Sequence, residues 1–241
     1  MVTLLKKKRV LVVDDQSLIR EGLKGIINRQ KDLVCCGIAE GVATAGKAVE
    51  ILKPDLVVLD VLLSDGCGLV LTKELTSHDL SPRILIVSQC DETLYAERAL
   101  KAGARGYVMK NRSLSEILAA MRAVLAGEFY VSPKIATIAL NQMANGKLAN
   151  NNHEGPAHLT NRELQIFQLL GAGLRARDIS TKLHLSIKTV ETHRENIKHK
   201  LKLPTAGELI HYAAKWVDGR GSIHRLEPEN SKINISEFPR P

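Results

Sequence analysis

Between residues 9 and 126 the chain repeats one pattern five times, a short apolar run followed by an amphipathic stretch. The runs are Val10–Val13, Leu33–Ala39, Leu56–Leu59, Ile84–Val87 and Gly106–Met109, and the stretches between and after them, near 17–29, 42–52, 68–77, 91–102 and 114–126, carry apolar residues at a spacing of three to four. Runs that short, apolar on both faces and separated by helical stretches are strands of a parallel sheet covered on each side. The expected fold is α/β, a doubly wound five-stranded parallel sheet. Such sheets bind ligands at the carboxyl ends of their strands, so the residues just after each run matter most.

Those residues are Asp14 and Asp15 after the first run, Asp60 after the third, Ser88 after the fourth and Lys110 after the fifth. The fold brings all of them to one rim. Three converging carboxylates repel one another unless a hard cation lies between them, and an all-oxygen donor set suits Mg²⁺. One carboxylate free to attack, a hydroxyl and an ammonium are then the parts needed for phosphoryl transfer. Asp60 would be the nucleophile, while Lys110 and Ser88 would hold the phosphoryl oxygens.

Beyond this region the charge balance changes. Residues 1–130 carry 18 basic and 16 acidic side chains, against 16 and 10 in residues 131–241, so most of the net +8 lies in the second half. A basic domain joined to a near-neutral one points to a polyanion partner for that half, usually nucleic acid. Aromatic residues are only 3%, which argues against base stacking as the means of binding. No apolar run approaches the roughly 18 residues that would span a bilayer, and the N-terminus lacks a cleavable signal, so the expected location is cytoplasmic with no membrane contact. Cys35, Cys36, Cys67 and Cys90 show no C-x-x-C spacing and read as free, mostly buried thiols.

From about 141 to 158 the composition turns to Asn, Gly and Pro, and the sequence divides as 1–130, a linker at 131–156, a helical domain at 157–217 and an unstructured tail at 218–241. Thr160 and Glu163 form a capping box that opens a helix ending near Gly171-Ala-Gly173. A short helix at 175–183, a turn at His184-Leu185 and a longer helix at 187–201 follow. A second box, Thr205 with Glu208, starts a fourth helix through Trp216. The middle pair reads as helix-turn-helix. On the longer helix Val190, Ile197 and Leu201 form the inward stripe, with Lys188, Thr192, Glu195 and His199 opposite. Lys188 could donate to guanine, Glu191 or Glu195 could accept from cytosine, and Thr189 lies on the same helix. Arg175, Arg177, Lys182, Arg194, Lys198, Lys200 and Lys202 are candidates for phosphate contacts.

Val12-Val-Asp-Asp-Gln-Ser-Leu-Ile19, Asp55-Leu-Val-Val-Leu-Asp60, Leu63-Ser-Asp-Gly-Cys-Gly68 and Gly103-Ala-Arg-Gly-Tyr-Val-Met-Lys110 resemble two-component receiver domains. The resemblance implies that Asp60 accepts a phosphoryl group from a sensor histidine kinase. It also implies that Asp14, Asp15, Asp60 and the carbonyl of Leu62 bind Mg²⁺, and that Tyr107 is the aromatic that changes rotamer with Ser88. Leu159-Thr-Asn-Arg-Glu163, Asp178-Ile-Ser-Thr-Lys-Leu183 and the run Lys188 to Leu201 resemble LuxR-type DNA-binding domains. Together these are similar to NarL/FixJ-like response regulators, which bind promoter DNA as dimers, often through the helix at 205–217.

The expected function is therefore a transcriptional regulator controlled by phosphorylation of Asp60, and not an enzyme. Two rivals remain at this point. An aspartyl-phosphate phosphatase needs Asp-x-Asp on the first strand, where this chain has Gln16. A receiver that never takes phosphate and acts by protein contact alone is disfavoured by the complete set of Asp14, Asp15, Asp60, Ser88 and Lys110.

Overall fold

The computed structural model describes residues 6–77, 81–144 and 155–217. Five strands, β1 (Lys8–Val13), β2 (Leu33–Ala39), β3 (Leu56–Leu59), β6 (Arg83–Ser88) and β7 (Gly106–Met109), form one parallel sheet in the order β2-β1-β3-β6-β7. Alternation along each strand sorts the core. Val10 and Val12 pack with Leu23 and Ile27 of α1 (Ser17–Asn28) and with Ile117, Met121 and Val124 of α5 (Leu114–Ala126). Leu11 and Val13 face the opposite side, which α2 (Val42–Leu52), α3 (Gly68–Leu75) and α4 (Glu92–Lys101) cover. Five helices on two faces of five parallel strands is the architecture expected from the repeat.

Two short strands, β4 (Leu62–Leu63) and β5 (Gly66–Cys67), form an antiparallel hairpin directly after Asp60. The sequence pattern did not predict them, since two-residue strands carry no periodicity. Asp65 in their turn accepts from the N–H groups of Val42 and Ala43 at 2.8 and 3.1 Å, capping α2 from a distant segment. After α5 the chain returns along β7, where Tyr107 N–H donates to Tyr130 C=O at 2.8 Å and covers the sheet edge.

The stretch read as a linker holds a helix, α6 (Pro133–Ala144). Ser132 anchors its start by donating to Glu92 Oε1 at 2.9 Å, and Ile135 is buried. Residues 145–154, which include most of the Asn-rich segment, and the proposed tail at 218–241 lie outside the described residues.

The second domain is all-helical: α7 (Asn161–Gly171), α8 (Ala176–Lys182), α9 (Ile187–Leu201) and α10 (Ala206–Val217), preceded by a 3₁₀ turn at Pro156–His158. The capping box forms as read, with Glu163 N–H donating to Thr160 Oγ1 at 3.3 Å and Thr160 N–H to Glu163 Oε2 at 2.8 Å. Leu164, Phe167, Ile179, Val190, Ile197 and Leu209 are buried among the four helices. Among the described residues no helix is long and apolar enough to cross a membrane. The cysteines are as expected: all four thiols are free, Cys90 is buried, and Cys35, Cys36 and Cys67 are partly buried. Burial pushes the Cys90 pKa up to about 12 and raises the pKa of the three partly buried thiols as well.

Candidate functional site

Strand register builds the site. Asp60 N–H donates to Val13 C=O at 2.9 Å, Asp14 N–H to Ala39 C=O at 3.1 Å and Lys110 N–H to Ser88 C=O at 2.8 Å, so adjacent strands end level with one another. Their next side chains therefore meet above one rim. Gly68 keeps the following loop tight, because a Cβ there would lie 2.0 Å from the carbonyl oxygen of Asp60.

Lys110 Nζ lies 2.6 Å from Asp14 Oδ2 and 2.7 Å from Asp60 Oδ2, all three side chains being almost completely buried. Ser88 donates its hydroxyl to the other oxygen of Asp60. Burial raises the pKa of Asp14, aided by the nearby Asp60 charge, although Lys110 and the Gln16 N–H pull against it. Burial works to lower the pKa of Lys110, but the two carboxylates outweigh it and hold the ammonium protonated. Carboxylate oxygens of Asp14, Asp15 and Asp60 lie within 4.8 Å of one another. Three carboxylates against one ammonium leave an excess of negative charge, and this oxygen-only donor set fits a hard divalent cation. Leu62 lines the same cavity.

Tyr107 is fully buried, and its hydroxyl donates to Cys90 C=O at 2.8 Å. Burial pushes its pKa far above the ordinary phenol value, keeping it a neutral donor.

On the second domain, Ser186 caps α9 by accepting from Thr189 N–H at 3.0 Å, and His184 makes the preceding turn at a positive φ of 50°. Val190 and Ile197 point inward, whereas Lys188, Thr192, Glu195 and His199 are exposed, and so is Asn196. The cationic candidates separate here. Arg194 pairs with Glu191 at 2.7 Å, Lys198 with Glu195 at 2.9 Å and Lys200 with the buried Glu163 at 2.6 Å. Lys188 makes no ion pair among the described residues. The face thus presents mixed charge, with Lys188 the cation left to reach outward.

Against known families, residues 10–122 match the response regulator receiver domain and residues 157–213 match the luxR family of bacterial regulatory proteins. The oxygen regulatory protein NreC of Staphylococcus carnosus is 33% identical over 211 residues, spanning 86% of this chain and 97% of that protein. The chain belongs to the LuxR-type, NarL/FixJ-like response regulators. NreC of Staphylococcus aureus is 35% identical over the same length. Among solved structures, a LuxR-family two-component response regulator from Aurantimonas sp. SI85-9A1 is 30% identical, with a TM-score of 0.52, over 60% of this chain and all of that one. RcsB from Salmonella enterica serovar Typhimurium, bound to the rprA promoter in the presence of the phosphomimetic BeF3−, has a TM-score of 0.59 at 19% identity over 87% of this chain and 99% of its own. This response regulator is thus a transcription factor by family, not an enzyme, and the phosphatase rival is set aside.

The sequence pattern gave no sign that the second domain reaches the receiver rim. Gln165 and Leu169 of α7 and Lys182 of α8 line the same cavity as Asp15, Asp60 and Ser88. Lys182, a candidate for DNA phosphates, is exposed and lines this cavity. Tyr95 on α4 donates to Gln168 Oε1 at 3.3 Å and Arg98 to Asn161 Oδ1 at 3.0 Å across the same junction.

Proposed function

We propose that this response regulator takes a phosphoryl group on Asp60 from a sensor histidine kinase and, in consequence, binds promoter DNA through α9. The observation that carries the reading is the Asp14, Asp60, Ser88 and Lys110 cluster, in which Ser88 and Lys110 lie within hydrogen-bond distance of the carboxylate of Asp60 and Lys110 also meets Asp14. A carboxylate oxygen of Asp60 attacks phosphorus, the new O–P bond forms as the P–N bond to the kinase histidine breaks, and the histidine nitrogen leaves with the electron pair. Lys110 turns its ammonium to a phosphoryl oxygen and Ser88 its hydroxyl to another. Mg²⁺, held by Asp14, Asp15, Asp60 and the Leu62 carbonyl, would supply charge neutralisation when bound. Tyr107, behind Ser88, would follow the movement of that hydroxyl.

On DNA, Lys188, Thr189, Glu191, Thr192 and Glu195 would meet the bases of the major groove, with Arg194, Lys198 and Lys200 toward the backbone. A homodimer through α10 would present two such helices to adjacent half-sites. A kinase partner and a promoter target both suit a cytoplasmic protein. The protein-contact rival would bind no DNA at all.

The test is labelling of the full chain with acetyl phosphate in Mg²⁺. Asp60→Asn should carry no acid-labile, hydroxylamine-sensitive phosphate, because an amide is a poor nucleophile. Undiminished labelling of this variant would move the acceptor elsewhere.

A further inference from the structure

We propose that Asp65 is a positioning residue for the Mg²⁺ site: it ties the hairpin that carries Leu62 to the segment from which Asp14 hangs, and so sets the spacing between two of the metal's donors. This rests on the reading of Asp14, Asp15, Asp60 and the Leu62 carbonyl as those donors.

A backbone carbonyl makes a good ligand only where its segment is held still. The hairpin has little of its own to hold it, since its strands are two residues long and pair only with each other. A lone two-stranded hairpin is marginal in water. Its base is fixed, because Asp60 N–H donates to Val13 C=O at 2.9 Å, Gly68 N–H donates to Val61 C=O at 2.8 Å, and the Leu63 side chain is buried. The end left over is the turn, three residues beyond Leu62. There Asp65 Oδ1 accepts from Val42 N–H at 2.8 Å and Oδ2 from Ala43 N–H at 3.1 Å, so each carboxylate oxygen takes one donor at the start of α2.

The far side of this tie is the support of Asp14. Asp14 N–H donates to Ala39 C=O at 3.1 Å where β2 ends, and Gly41 and Val42 follow within three residues. Two glycines let the segments meet. A Cβ on Gly41 would lie 2.4 Å from Asp65 Oδ1, and one on Gly66 would lie 2.7 Å from Val42 Cγ2. Gly41 has a φ of −163°, extended backbone open to any residue, so close approach and not conformation is what calls for glycine there. Asp65 is itself exposed, and a merely solvated carboxylate needs no such clearance. Groups that orient metal donors from behind typically change metal affinity by about 10–100-fold when removed.

The experiment is titration of the full chain with Mg²⁺ by calorimetry, beside the Mg²⁺ dependence of labelling by acetyl phosphate. Asp65→Ala should weaken Mg²⁺ binding by roughly tenfold and raise the Mg²⁺ concentration for half-maximal labelling by the same factor. Labelling at saturating Mg²⁺ should return to the parent level, since Asp60, Ser88 and Lys110 are untouched. Asp65→Asn keeps one acceptor oxygen and should show a smaller loss in the same direction. Asn28→Ala is the control, because Asn28 Oδ1 accepts from Cys35 N–H at 2.9 Å near the opposite end of β2, and it should bind Mg²⁺ as the parent does. Should Asp65→Ala fail to fold, Asp65→Asn decides. Unchanged Mg²⁺ affinity in a folded variant overturns the proposal, as does an equal loss in Asn28→Ala, which would make the effect one of general loosening. Equal losses in Asp65→Ala and Asp65→Asn would make it one of charge and not of position, and labelling that stays low at saturating Mg²⁺ would move the role from the metal to Asp60. A parent chain that binds no Mg²⁺ overturns the donor reading beneath it.

Discussion

Glu163 shows how one side chain can serve two levels of structure. It closes the capping box of α7 and receives the ammonium of Lys200 from the end of α9, tying the two helices together. Burial pushes its carboxyl upward, but the Lys200 ammonium and the Thr160 donors more than offset this and hold its pKa below the ordinary 4.5. A carboxylate with a lowered folded pKa contributes stability that is present above the unfolded value and lost as pH falls through the folded one. Glu163→Gln should therefore lower unfolding stability by about 1–2 kcal/mol near neutral pH, a figure held down because Lys200 is 39% exposed. The difference from the parent should close below pH 4.5. Urea unfolding at neutral and acid pH checks both, and a pH-independent difference would place the effect in packing.

At the scale of elements, α9 separates cations by what they already hold. Lys200 belongs to Glu163 and Lys198 to Glu195, while Lys188 at the first turn extends from an exposed position. Removing a side chain that reads a base costs about 1–3 kcal/mol on the cognate site, whereas removing one that meets a phosphate reduces the slope of log K against log salt by about 0.9 in magnitude. Lys188→Ala should narrow the ratio of specific to nonspecific binding. Lys200→Ala should leave that ratio alone and instead lower the thermal stability of the domain, since it strands a buried carboxylate. Binding to cognate and scrambled duplexes over several salt concentrations, beside a thermal scan, distinguishes the two. The reverse pattern would mean that α9 enters the groove in another register.

For the whole molecule, the apolar core runs without a break from α4 of the receiver into α7, and polar contacts from Tyr95 and Arg98 rim it. The two domains are thereby one packed body in this arrangement. Arg98→Ala removes a junction hydrogen bond to Asn161 while leaving the rim carboxylates intact. It should raise the radius of gyration measured by small-angle scattering and leave acetyl-phosphate labelling of Asp60 in place. An unchanged radius would show that the apolar core alone holds the domains.

Strands and helices were legible from the residues because their signals are local. The bounds of β2, β3, β7, α2, α5 and α9 follow apolar periodicity, and the start of α7 follows its Thr160–Glu163 capping box, all within a few positions along the chain. The rim of Asp14, Asp15, Asp60, Ser88 and Lys110 was legible for a related reason, since a parallel sheet carries every strand end to the same edge. Helix α6 was missed, because its sequence merges into an Asn-rich segment. Neither the Asp65 cap on α2 nor the placement of Gln165 and Lys182 left any mark along the chain. Each depends on two segments meeting at an angle that side-chain packing sets, and that angle has no period, no spacing and no motif. Local residue order determined which elements form and which side chains stand at the strand ends; only the docking of one apolar face on another decided that the DNA-binding domain closes over the receiver's acidic rim.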